Sequence, residues 1–173
     1  FIGALSAFRA CQAELQAVPL GGDGMDLSVL EQELAGGASL PKFLYVAPNF
    51  HNPAGIVYSM EVKRQMIALL QGRNIPVIED DVYSDIWFHE EDLPGIKNLK
   101  AMNPAGIDIC FTGSFSKILG PGLRLGWMLV PEPIYRKCEL IKQSIDACSP
   151  SLSQVIADKF IRSGEMNSYT ARI

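Results

Sequence analysis

The chain has 173 residues, of which 48% are hydrophobic and 20% charged, and a net charge of −4 at pH 7. That mixture can bury one sizeable core, so one globular domain is expected. Lysine and arginine are scattered without a basic run, which argues against nucleic acid as a partner of this segment, and no apolar stretch is long enough to span a bilayer.

In chain order, apolar periodicity predicts a helix over residues 2–11 and a strand over 14–19. Behind the turn Gly-Gly-Asp-Gly it predicts a helix over 27–34, with Ser28 and Glu31 as a capping box. Residues 42–48 read as a short buried strand ending in the polar loop N-F-H-N-P-A-G. A helix follows over 60–71, opened by Ser59 as N-cap and closed before Gly72. Residues 75–80 form the next buried strand, with a loop or short helix after Asp80, and residues 107–115 form another. Strands alternating with helices point to a layered α/β domain with a mostly parallel sheet.

Residues 124–131 are also strand-like, yet only K-I-L-G-P-G-L separates them from the preceding strand. A parallel crossover needs about a dozen residues or more, so this pair is expected to be antiparallel, joined by a tight loop that contains Lys117. Helices over 132–147 and 152–163, broken by Ser149 and Pro150, complete the pattern. Phe1 opens into a helix without an initiator Met, and the chain is expected to be a fragment. Cys11, Cys110, Cys138 and Cys148 are widely spaced, with no C-x-x-C pair and no histidine at metal-ligand spacing. No metal is expected, and reduced thiols in the cytoplasm are the simplest reading.

Ligands of open α/β sheets sit beyond the C-terminal ends of the strands. Four polar clusters follow buried runs here: Asn52 in H-N-P-A-G, Asp80 with Tyr83 in E-D-D-V-Y, Ser114 to Lys117 in S-F-S-K, and Arg124 in P-G-L-R-L-G-W. Each has a plain structural explanation, since H-N-P-A-G alone is a turn, an acidic pair after a strand is a helix cap, and most lysines are solvated. The combination and its order shift the balance toward a site.

These segments resemble the class I/II aminotransferases, fold-type I enzymes that use pyridoxal 5′-phosphate (PLP), and S-F-S-K followed by G-L-R-L-G-W carries most of the resemblance. It implies part of the three-layer large domain of that fold, with one antiparallel strand after the lysine segment. It further implies that Lys117 bonds to the PLP aldehyde as a Schiff base and, once displaced by an amino acid, serves as general base. Asp80 would pair with the pyridine nitrogen, and Asn52 and Tyr83 would reach the phenolic oxygen. Ser114 and Arg124 would bind the phosphate, with Ser116 a further candidate. Asp81 competes with Asp80 for the nitrogen, but the D-x-x-Y spacing to Tyr83 favours Asp80. His51 and Trp127 are assigned to loop structure and packing, and Pro53 to a cis bond as in the family.

The upstream glycine loop, the ring-stacking aromatic and the downstream small domain of a full family member are not identifiable; neither Phe1 nor Arg172 is assigned to those roles. The resemblance thus implies an aminotransferase acting on an amino acid and a 2-oxo acid, a homodimer when whole. Its wording is nearest the 2-aminoadipate and aromatic group. Two alternatives stand beside it: an aminotransferase-like effector domain of a winged-helix transcription regulator, and an inactive remnant.

Overall fold

The computed structural model describes residues 1–36, 40–103 and 106–173. Helix α1 spans Ile2–Ala10 and leads to a small hairpin, β1 (Leu20–Gly21) against β2 (Gly24–Met25). The strand expected over 14–19 does not form. The chain instead pairs around the Gly22–Asp23 turn, where Gly24 takes φ +132°, which a residue with a Cβ resists. An added Cβ there would also press on the ring of buried Tyr58 and on Val62.

Helix α2 (Leu27–Ala35) follows, and its cap corrects the expected Ser28/Glu31 box. Asp26 is the N-cap, its Oδ1 accepting from the backbone N–H of Ser28 at 3.0 Å and of Val29 at 3.3 Å. A carboxylate at the helix start suits both the unpaired N–H groups and the dipole, so the acid two residues earlier displaces the serine. Helix α3 (Met60–Leu70) is capped as expected by Ser59, whose Oγ accepts from Val62 N–H.

The main sheet has four strands in the order β3 (Leu44–Val46), β4 (Val77–Asp80), β5 (Ile109–Ser114), β6 (Gly126–Leu129). The first three are parallel, and β6 runs antiparallel to β5, as the short connection demands. That connection is not a plain loop. It holds a short helix, α4 (Phe115–Ile118), and a 3₁₀ turn, Pro121–Leu123. Lys117 therefore sits on α4. Helices α5 (Glu132–Ile145), α6 (Ser151–Arg162) and α7 (Met166–Thr170) finish the chain.

Strand parity divides the sheet into two environments. Val46, Val77 and Ile109 face a core closed by Leu30 and Leu34 of α2 and Met66, Ile67 and Leu70 of α3. Tyr45, Ile78 and Asp80 point the other way, where Phe8 of α1 packs its ring against Phe43 at 5.1 Å and Tyr45 at 5.6 Å between centroids. At the far edge Trp127 lies against Phe111, on the same face as Gly113; a Cβ on Gly113 would collide with the indole. Strand β6 and helices α5 and α6 leave large apolar side chains in solvent, among them Met128, Leu129, Leu140 and Leu152.

Candidate active site

Because β3, β4 and β5 are parallel, the residues after their C-terminal ends collect along one margin of the sheet. The reversed direction of β6 brings the residues before its start to that same margin. Asn52, Asp80, Tyr83, Ser114, Ser116, Lys117 and Arg124 all belong to this margin. The fold alone does this, since the segments are far apart in sequence.

Several of these side chains make direct contact. Asn52 Nδ2 donates to Tyr83 Oη at 3.4 Å, which leaves the phenol proton for another acceptor. Lys117 Nζ lies 5.7 Å from the centroid of the Tyr83 ring, within range of a cation–π attraction. Ser114 is the N-cap of α4, its Oγ accepting from Ser116 N–H at 3.1 Å, so its own hydroxyl proton is also uncommitted. Arg124 is exposed in the left-handed region at φ 48° and, among the described residues, its guanidinium makes no hydrogen bond or ion pair. Among the described residues, no hydrogen bond or ion pair links Arg124 or the Ser116 side chain to the others. The Asn52–Pro53 bond is cis, as expected. His51 serves the loop, its Nδ1 accepting from Ala54 N–H at 3.4 Å.

The two adjacent aspartates part company. Asp80 is half-buried on the face that holds Tyr45, whose hydroxyl donates to Asp80 Oδ2 at 2.5 Å. Burial raises the Tyr45 pKa far above its usual value, and the neighbouring carboxylate adds to this, so the phenol stays protonated as a donor. Asp81 turns inward to 6% exposure, where its Oδ2 accepts from Asn49 Nδ2 at 3.2 Å. Burial raises its pKa, opposed by Ser84 and Asn49. Asp80 thus lies half-buried on the Tyr45 face, and Asp81 is committed inside.

Under that margin lies a polar assembly that the sequence reading missed. Lys63, on the core face of α3 and 0% exposed, donates from Nζ to Asn49 Oδ1 at 2.6 Å and to the carbonyls of Gly95 at 2.7 Å and Lys97 at 2.9 Å. Glu79, also 0% exposed, accepts from the N–H groups of Leu99 and Lys100 at 2.6 and 3.1 Å. Burial lowers the Lys63 pKa to about 8 despite the two acids, and raises that of Glu79 to about 7 despite its donors. These groups tie the Asn49 loop, β4 and residues 95–100 into one support beneath Asp80. The signal available in the sequence was the i, i+3, i+4, i+7 spacing of Lys63, Met66, Ile67 and Leu70.

Comparison with known proteins places this geometry. The model of the family "Aminotransferase class I and II" matches residues 4–172. The chain belongs to that family. This aminotransferase-family chain is 33% identical along its whole length to aromatic-amino-acid aminotransferase 1 of Thermococcus litoralis, and covers 41% of that protein. It is 36% identical, over 95% of its length, to the uncharacterized HTH-type transcriptional regulator YisV of Bacillus subtilis, and covers 33% of it. The solved kynurenine aminotransferase of Pyrococcus horikoshii, in complex with PMP, superposes with a TM-score of 0.91 at 31% identity, over 99% of this chain and 42% of that one. The chain spans well under half the length of the relatives it matches. Its fold is that of the aminotransferase large domain in part, with the antiparallel strand where expected. Among the described residues, no helix is long and apolar enough to cross a membrane, and no His, Cys, Asp and Glu cluster could hold a metal ion.

Proposed function

We propose that this chain holds pyridoxal phosphate through Lys117, and that the protein carrying it transfers amino groups between an amino acid and a 2-oxo acid. The observation that carries this reading is the Lys117 amine beside Tyr83, itself hydrogen-bonded to Asn52, on the sheet margin that also bears Asp80. The donor set suits the cofactor. Asp80 keeps Oδ1 clear of donors among the described residues, as a partner for a protonated ring nitrogen requires. Tyr83 and Ser114 retain hydroxyl protons, and Arg124 presents an uncommitted fork of N–H groups for a phosphate. The PMP-bound relative supports the same choice.

When bound, the cofactor supplies an electron-withdrawing ring that stabilises negative charge on the amino acid Cα. The chain's own tasks follow from its groups. Lys117 would hold the cofactor through its aldehyde and, with its amine free, would carry a proton at Nζ. Asp80 would keep the ring nitrogen protonated. Asn52 and Tyr83 would orient the phenolic oxygen, and Ser114, Ser116 and Arg124 would hold the phosphate. Substrates of the aromatic or 2-aminoadipate kind, and a cytoplasmic homodimer that covers the exposed apolar faces of β6, α5 and α6, are part of the same proposal. The thiols are unpaired, which supports a reducing compartment.

The test is a single half-turnover: the intact protein, charged with pyridoxal phosphate, is mixed with an amino acid and the absorbance of the aldehyde form followed. Conversion to the amine form with release of a 2-oxo acid, lost in Lys117→Ala, is the expected result. No conversion with any aromatic or acidic amino acid overturns it. The match to YisV favours a second reading, in which the same site senses ligand within a transcription regulator. An upstream winged-helix segment in the coding sequence, with DNA binding that responds to PLP, would establish that reading instead.

A further inference from the structure

Tyr45 lies outside every motif that points to the site, yet it holds the Asp80 carboxylate. In the parallel register Tyr45 pairs with Ile78, so Asp80 is the next side chain along the same face of β4. The phenol bridges that step, donating to Asp80 Oδ2 at 2.5 Å. Its ring is held in turn, edge-on to Phe8 of α1 at 73° between planes, and Phe8 rests on Phe43. An aspartate at the end of a strand otherwise rotates among several rotamers. Here one oxygen is engaged by a donor that stays protonated, and the carboxylate plane is set by a chain of three rings anchored in α1.

We infer that Tyr45 is a positioning residue for Asp80. It fixes the carboxylate so that Oδ1 is the oxygen offered to the ring nitrogen of bound pyridoxal phosphate, and this rests on the cofactor reading above. Tyr45 touches neither cofactor nor substrate in this scheme; it acts only through Asp80. Packing alone does not account for the hydroxyl, because a phenylalanine would fill the same space between Phe8 and the sheet. Helix α1 thereby becomes part of the site, through Phe8.

The experiment uses the intact protein reconstituted with pyridoxal phosphate labelled with ¹⁵N in the ring. Three variants are compared with wild type: Tyr45→Phe, Phe8→Leu and, as a control for loss of a buried tyrosine hydroxyl elsewhere, Tyr58→Phe. Borohydride labelling of Lys117 reports whether the cofactor is seated, and the ¹⁵N resonance reports whether its ring nitrogen is protonated. The inference expects Tyr45→Phe to keep the Lys117 label, move the ¹⁵N resonance toward the unprotonated position and lower kcat on the order of tenfold with KM within about twofold. Phe8→Leu should move the resonance the same way by less, and Tyr58→Phe should leave it in place. A Tyr45→Phe protein with the label, resonance and kcat of wild type overturns the role of Tyr45 while leaving the cofactor reading intact. Failure of wild type itself to label at Lys117 overturns the cofactor reading, and this inference with it.

Discussion

Replacing Lys63 with Met keeps the length of the side chain and removes its charge and its three hydrogen bonds. The carbonyls of Gly95 and Lys97 and the Asn49 side-chain oxygen then lose their donor. Each acceptor stranded away from water costs ~1–3 kcal/mol. Against this stands relief from burying an ammonium: the displacement of Lys63 from 10.5 to about 8 corresponds to ~3 kcal/mol below that pH. Loss of the cation also removes its longer-range attraction to Glu79 and Asp81. The net expectation is a destabilisation of ~3 kcal/mol at pH 7.5. Glu79 titrates near 7, so at pH 5.5 it is protonated and needs no counter-charge, and the penalty should shrink by ~1 kcal/mol. Urea denaturation at the two pH values measures both numbers, provided the m-value is unchanged. A Lys63→Met protein as stable as wild type at pH 7.5, or one with equal penalties at both pH values, refutes the reasoning.

Glu79 itself sets a second expectation. Its folded pKa, about 7, lies above the ordinary 4.5, so its contribution is fully present below pH ~4.5 and is lost as pH rises through 7, by ~3 kcal/mol at most. Glu79→Gln should flatten that decline in denaturation curves taken across the window, and an unchanged slope would show that other groups produce it. Removing the α3 cap with Ser59→Ala should cost ~1 kcal/mol, read as a lower urea midpoint; a neutral result would mean that water replaces the Ser59 Oγ at Val62 N–H.

Much of the sheet was legible because its signals are local. Short apolar runs ending in polar residues gave β3, β4 and β5, and the K-I-L-G-P-G-L connection was too short for a parallel crossover, which settled the direction of β6. The candidate site residues were picked out in the same local way, as polar residues next to such runs, with Arg124 before one and the others after. What was missed depends on partners distant in sequence. Tyr45 reads as a core residue of an apolar strand, and nothing local announces an acceptor 35 residues later. Lys63 reads as a solvated lysine unless its helical spacing with Met66, Ile67 and Leu70 is weighed, and its acceptors on Asn49, Gly95 and Lys97 are set by the fold. The strand expected over 14–19 failed because periodicity there had no partner to pair with, while the glycines after it could turn tightly enough to form the β1–β2 hairpin. Asp26 took the α2 cap because it stands one residue before the helix, where its carboxylate reaches both free N–H groups.

The most direct test of the account is covalent. The intact protein is incubated with pyridoxal phosphate, reduced with borohydride, digested and mapped by mass spectrometry. The account predicts a phosphopyridoxyl group on Lys117, in the peptide containing S-F-S-K, and its absence when Lys117 is replaced by Ala. Label on Lys63, Lys97, Lys100 or any other lysine in its place, or no label at all, would contradict it.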